Sequence, residues 1–196
     1  MKETKLKISF NAPVILGFTI ICLVALLLDQ ITNGRSNYLY FTVYRSSLAD
    51  PKTYVRLIGH VFGHANMEHF MGNIMFILLV GPMLEEKYGH RLILEVIAIT
   101  AIVTGLVHSL FYSQVGLLGA SGVVFAFILL SSFTKTKDGG IPVTFLLVAF
   151  LYIGREVVNG IWHQSNVSNL THIIGGVIGA IIGYQINKIH SRKGSH

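Results

Sequence analysis

The sequence predicts an all-α, polytopic membrane protein: one bundle of six transmembrane helices, with a long, half-embedded loop after the first. Three observations predict it. Of 196 residues, 52% are hydrophobic and only 12% charged, about half the charged share of an ordinary soluble domain. The apolar residues fall into blocks, with charges gathered in the gaps between them. The cations are also unevenly divided. With the N-terminus inside and six spans, Lys2, Lys5, Lys7, Lys87, Arg91, Lys135, Lys137, Lys188, Arg192 and Lys193 fall on the inner side, against Arg35, Arg45, Lys52, Arg56 and Arg155 outside. That bias is the positive-inside asymmetry, so the net charge of +6 is a topology signal and not a nucleic-acid signal. Anionic lipid headgroups are the expected partner of the inner lysines.

The six blocks lie at approximately 12–28, 66–84, 92–112, 119–133, 141–157 and 168–187. The short ones suit helices buried inside a bundle, where bilayer thickness constrains them less directly. The length holds one domain, 1–196, with a core of about 12–187 and cytosolic tails at 1–11 and 188–196. The first block is followed by Asp29-Gln30 and by no small-residue cleavage site, which predicts a retained helix. Its Cys22 is the chain's single cysteine, so no intrachain disulfide forms.

The gap from about 29 to 62 is far longer than the usual helix–helix connection. Tyr38, Tyr40, Phe41, Tyr44 and Tyr54 are mixed there with Arg45 and Arg56, the composition of a segment at headgroup level. A rim lying partly in the outer leaflet is expected, the alternative being a mobile loop whose aromatics touch lipid. Gly154 to Ser168, after the fifth block, is a candidate gate by position and composition.

The chemistry-bearing residues lie on the even-numbered blocks. Ser121, in Gly119-Ala120-Ser121-Gly122, directly precedes an apolar run, and His172 follows 51 residues later at the head of another. A hydroxyl and an imidazole at the mouths of two membrane helices are the parts of a nucleophile and its general base. Gly175 and Gly179 fall on the same helical face as His172, and Gly122 with Ala126 makes a matching small-residue row beside Ser121. Two such rows let helices approach closely; by themselves they are equally the mark of helix packing without chemistry. Blocks two, four and six run in the same direction, so His64 and His69, Ser121 and His172 all fall in the outer half. His69 and Asn73, four apart on the second block, carry the N–H donors an oxyanion needs, joined by the backbone amide of Ser121. A buried asparagine can instead serve an interhelical hydrogen bond. With no carboxylate near except Glu68, a Ser–His dyad is expected, its imidazole packed by Phe125 one turn after the serine. His60, His64 and His69 could suggest a metal, but they lack a His-Glu-x-x-His run and leave Ser121 without a role.

Together these residues resemble the rhomboid intramembrane serine proteases. The resemblance rests on His64-x4-His69-x3-Asn73 on the second block, Gly119-Ala120-Ser121-Gly122 opening the fourth, and His172-x2-Gly175-x3-Gly179 on the sixth. The charged turn from Gly81 to Gly89, containing Glu85, is similar to the family's connection after its second helix. It implies a serine endopeptidase that cuts in or near the transmembrane segments of single-span proteins, using Ser121 and His172, with His69, Asn73 and the Ser121 amide as oxyanion hole. It also implies a half-embedded first loop in which Arg56 matches the family's arginine, a structural part for His64, and no metal, cofactor or obligate partner. The family often has Tyr where Phe125 stands and Trp where Val55 stands. The location implied is the cell membrane, both termini cytoplasmic and the site open to the outer face. The rivals are an inactive relative that binds transmembrane helices and a small transporter. The isolated Asp29 and Glu95 give a transporter little support.

Overall fold

A computed structural model describes residues 11–112, 115–133, 141–162 and 166–193, with side chains described except at 152–153, 155–168 and 189–193. Most of the two tails, Lys135, Lys137 and the side chains of the candidate gate beyond Gly154 therefore lie outside the described residues. Among the described residues there are seven α-helices: α1 (Pro13–Ile31), α2 (Pro51–Gly59), α3 (Met67–Tyr88), α4 (His90–Phe111), α5 (Ser121–Ser131), α6 (Val143–Trp162) and α7 (Asn166–Lys193). Among the described residues the only extended pairing is an isolated bridge between Val43 and Leu117. Among the described residues, four helices are long and apolar enough to cross a membrane: α1, α3, α4 and the Asn169–Lys188 part of α7. The chain is an all-helical integral membrane protein.

On α1 the residues Ile15, Phe18, Cys22, Ala25 and Leu26 are buried, while Ile20, Leu23, Val24 and Leu27 are exposed, the division of a helix with one face on the bundle and one on lipid. Pro13 opens it, and Ala12 offers no capping side chain. The carboxylate of Glu85 supplies the cap from α3, accepting from the amides of Val14 at 2.9 Å and Ile15 at 3.0 Å. The Nδ1 of His90 lies 2.5 Å from the same carboxylate. A negative group at a helix N-terminus satisfies free N–H donors and complements the dipole. The glutamate is wholly buried, so its side chain is committed to that task.

The segment from Gly81 to Gly89 is not the turn expected from its charges. Pro82 lies inside α3, which runs on to Tyr88, and Gly89 alone joins it to α4. The helix is prolonged because the helical register aims Glu85 at α1. The segment between α1 and α3 also holds more structure than the sequence reading allowed: a π-turn at Asn37–Phe41 and the helix α2. Asp50 caps α2 through Lys52 N at 3.0 Å, with Pro51 at its first position, a start signal legible in the sequence. Arg56 is buried and fastens this segment. Its Nη2 donates to Ser46 Oγ (3.0 Å), Asp50 Oδ2 (3.1 Å) and Thr53 Oγ1 (3.2 Å), and its guanidinium lies over the Tyr44 ring.

At the centre stands α5, eleven residues instead of the expected fifteen-residue block. Gly122, Val123, Val124, Ala126, Phe127, Leu129 and Leu130 are all buried, so it is covered nearly all round. Its closest neighbour is α7. A Cβ on Gly175 would strike the Gly122 carbonyl, and one on Gly179 the Ala126 carbonyl. The ascending order of both pairs makes α5 and α7 parallel, with backbones in direct contact. His69 beside Gly119 and Lys87 Nζ donating to Phe133 O at 3.1 Å make α3 parallel to α5 as well.

Three predictions follow from this packing. Glu85→Ala lowers stability in detergent by about 2 kcal/mol, the cost of uncapping buried amides, and Glu85→Gln, which keeps one acceptor oxygen, loses less. Gly175→Ala destabilises by about 1–3 kcal/mol through overpacking, whereas Gly17→Ala on α1, where a Cβ meets nothing within 4 Å, leaves the melting temperature unchanged or raised. Burial pushes the imidazoles of His60 and His64, both before α3, down from 6.5 to about 4. The unfolded chain therefore binds more protons than the folded one between those values. A thermal melt against pH is expected to be flat above about 6.5 and to fall as pH drops from 6.5 toward 4.

Candidate active site

The site is assembled where α3, α5 and α7 begin and where the strand leading into α5 is held. That strand is tied on three sides. Val43 N donates to Leu117 O at 2.9 Å, and Leu117 N to Val43 O at 2.8 Å. The His108 Nε2 on α4 donates to Val115 O at 2.7 Å. Gly119 N donates to His60 O at 2.8 Å. His60 is itself held, Nδ1 donating to Leu57 O at 3.1 Å and Nε2 lying 3.2 Å from the Thr104 hydroxyl. Gly119 has φ of +129°, and a Cβ there would sit 2.7 Å from His69 Cε1. Both the backbone angle and the ring demand glycine at that point.

Ser121 is the first residue of α5, and no side chain caps that end. His172 lies on the second turn of α7. Its ring centroid is 4.5 Å from that of Phe125, with the planes tilted by 49°; the packing is tilted where a stack was expected. From α3 come His69, whose amide donates to the capping Asn66 side chain at 2.8 Å, and Asn73, one turn further. Asn73 is buried, and its Nδ2 has no hydrogen-bond partner among the described residues.

These five side chains share one cavity of about 660 Å³. Its polar wall is Ser121, His172, His69 and Asn73. Its apolar walls come from Phe76, Val124, Phe125, Ile128 and, on α6, Val148 and Leu151. Residues carrying a hydroxyl, two imidazoles and a carboxamide thus line the same space, which is the equipment for nucleophilic attack, proton transfer and stabilisation of a developing negative charge.

The remaining residues singled out in the sequence take other places. His64 precedes α3 instead of riding on it. It is fully buried, set edge-on behind His69 with ring centroids 5.2 Å apart, and braces that ring from outside the cavity wall. Arg56 organises the segment before α3, Glu85 caps α1 at the opposite end of α3, and Gly122, Gly175 and Gly179 make the α5–α7 contact. Sequence reasoning weighed His60 only for a metal and missed Thr104 and His108, which with it hold the approach to α5, and the α6 side of the cavity. One signal was available. Thr100, Thr104 and His108 are spaced by four in the C-terminal half of α4 and are all buried, a polar row facing inward.

Comparison with known proteins agrees with the architecture. Residues 51–188 match the family model for the Rhomboid domain. The chain is 24% identical over 189 residues to the Rhomboid protease GlpG of Haemophilus influenzae, covering 94% of this chain and 95% of that one. It is 25% identical over 178 residues to the Rhomboid protease GlpG of Yersinia pestis, covering 88% of this chain and 62% of the relative. It is likewise 25% identical over 155 residues to the mitochondrial RHOMBOID-like protein 12 of Arabidopsis thaliana, covering 67% and 46%. With most of its length matched by that domain, the chain belongs to the rhomboid family.

Proposed function

We propose that the protein is an intramembrane serine endopeptidase that hydrolyses peptide bonds in or near the transmembrane segments of single-span membrane proteins. The observation that carries this reading is the single cavity shared by Ser121, His172, His69 and Asn73. A hydroxyl, an imidazole and side chains with N–H donors around one space are what attack on a carbonyl and stabilisation of the resulting oxyanion require.

In the proposed chemistry His172 takes the Ser121 proton as Oγ attacks the substrate carbonyl. The carbonyl electrons move onto oxygen, where Asn73, His69 and the Ser121 amide stabilise the charge. Collapse of the tetrahedral species breaks the C–N bond, and His172 returns its proton to the leaving amine. A water molecule, deprotonated by the same imidazole, then hydrolyses the acyl-enzyme and restores the serine. Phe125 holds the imidazole ring in the manner a third catalytic residue would. Lipid cannot supply the water, so a hydrated cavity within the bundle is a requirement of the reaction. A substrate helix satisfies its own backbone hydrogen bonds, so the scissile bond is exposed only by local unwinding into that cavity.

The reading extends to topology: α1, α3, α4, α5, α6 and α7 serve as six spans, with a half-embedded segment between the first two. The termini are cytoplasmic and the cavity opens to the outer face of the cell membrane, in line with the distribution of cations in the sequence. The whole chain acts as one domain.

The test is cleavage of a model single-span substrate in proteoliposomes. Wild type is expected to cut, while Ser121→Ala and His172→Ala are silent. Asn73→Ala is expected to lower kcat by about 10²-fold or more, in the range of an oxyanion donor, with a smaller change in KM. Equal cleavage by all variants overturns the assignment.

A further inference from the structure

Thr171, Gly175, Gly179 and Gly183 are spaced by four along α7 and share one face of the helix. The three glycines let α7 lie against α5: a Cβ on Gly175 or Gly179 would strike a carbonyl of α5, and one on Gly183 the Phe133 ring. The first member of the row is different. Thr171 carries two heavy atoms on its β-carbon, and it directly precedes His172.

Gly122, which directly follows Ser121, is its neighbour on α5. A Cβ on Gly122 would lie 3.3 Å from the γ-methyl of Thr171, 3.4 Å from that of Thr100 and 3.5 Å from that of Thr104. All three threonines are buried. One methyl from α7 and two from α4 thus close around the place that a side chain at 122 would occupy. A β-branched residue has few rotamers open to it in a helix, and close-packed interiors compress little. The enclosed Thr171 methyl is therefore a fixed spacer. At Gly175 the backbones of α5 and α7 touch; at Thr171, one turn nearer the start of α7, the same two helices are held apart by that methyl.

We propose that Thr171 is a positioning residue for the Ser121–His172 pair: its γ-methyl, enclosed with those of Thr100 and Thr104 beside Gly122, sets the separation of α5 and α7 at the level of the two reacting side chains. The glycine contacts fix how far the helices slide along each other, and Thr171 fixes how closely they approach where the chemistry lies. Thr171 does not line the cavity and acts through its neighbour His172. The kinetic consequence rests on the protease reading; the spacing does not.

Two substitutions in the full chain, reconstituted with a model single-span substrate, separate the methyl from the hydroxyl. Thr171→Ser, which keeps only the hydroxyl, is expected to lower kcat about tenfold with KM unchanged, because small displacements between reacting groups are costly. Thr171→Val, which keeps the branched β-carbon, is expected to retain the wild-type kcat, as is the control Thr19→Ser on α1. The spacing is read without the chemistry by disulfide formation between Ser121→Cys and His172→Cys under mild oxidation, in a chain whose buried Cys22 is replaced by alanine. Adding Thr171→Ser is expected to speed that pairing about fivefold, since a disulfide demands close β-carbons, and adding Thr171→Val to leave it unchanged. Equal kcat and equal pairing rates in the serine variant overturn the proposal. So does a valine variant that loses as much as the serine variant, which assigns the effect to the hydroxyl. If Thr171→Ser fails to fold, Thr100→Ser, which removes a supporting methyl from α4, decides in its place: a lowered kcat supports the spacer and an unchanged one overturns it. Pairing rates that follow the methyl in a chain that never cuts keep the spacer and remove the protease reading. Equal cleavage by a wild type and variants that all cut removes the spacer alone.

Discussion

The contact between α5 and α7 is the constraint on which the rest of the molecule depends. Gly175 and Gly179 bring one backbone against the carbonyls of Gly122 and Ala126, and this sets the axial register of two parallel helices that carry Ser121 and His172. In lipid no hydrophobic force presses helices together, so geometry of this kind needs small residues and matched surfaces. A methyl group added at either glycine would lie inside van der Waals distance of a peptide bond, which has no side chain to rotate away. The hydroxyl and the imidazole owe their common depth to that backbone contact.

Around this pair the other elements hold positions that two helices alone could not fix. The approach to α5 is tied to the segment before α3 by Val43 and by the His60 carbonyl, and to α4 by His108. Arg56 in turn draws the residues from 39 to 53 together. The shape of the cavity wall is therefore written partly in residues that never face the cavity. Arg56, His60 and His108 do this work inside an apolar bundle because each spends at least one donor on a carbonyl or hydroxyl of a neighbouring element.

How much of this could be read in the sequence follows from what kind of signal each residue leaves. Hydropathy located the membrane helices, because lipid acts on every residue of a span at once. The glycine row on α7 and the serine at the head of α5 were legible because small residues and a hydroxyl at an apolar helix mouth have few uses. The boundaries were less so. Charge density suggested a turn at Glu85 and Glu86, but the carboxylate was recruited to α1, and the helix continued through Pro82. His64 looked like a helix residue from spacing alone; the Asn66 cap starts α3 after it. The parts of His60, Thr104 and His108 were illegible for a different reason. Each serves a backbone or side-chain group far away in sequence, and a single chain read in order does not reveal which distant carbonyl a histidine meets.

The Glu85 cap bears on the order in which the molecule is completed. The amides of Val14 and Ile15 find their acceptor 71 and 70 residues further along the chain. α1, made before α3, therefore has its N-terminal amides without this acceptor until α3 has been formed down to its last turns. The two segments are thus completed together: one end of α1 is finished by a side chain that only the far end of α3 can bring to it.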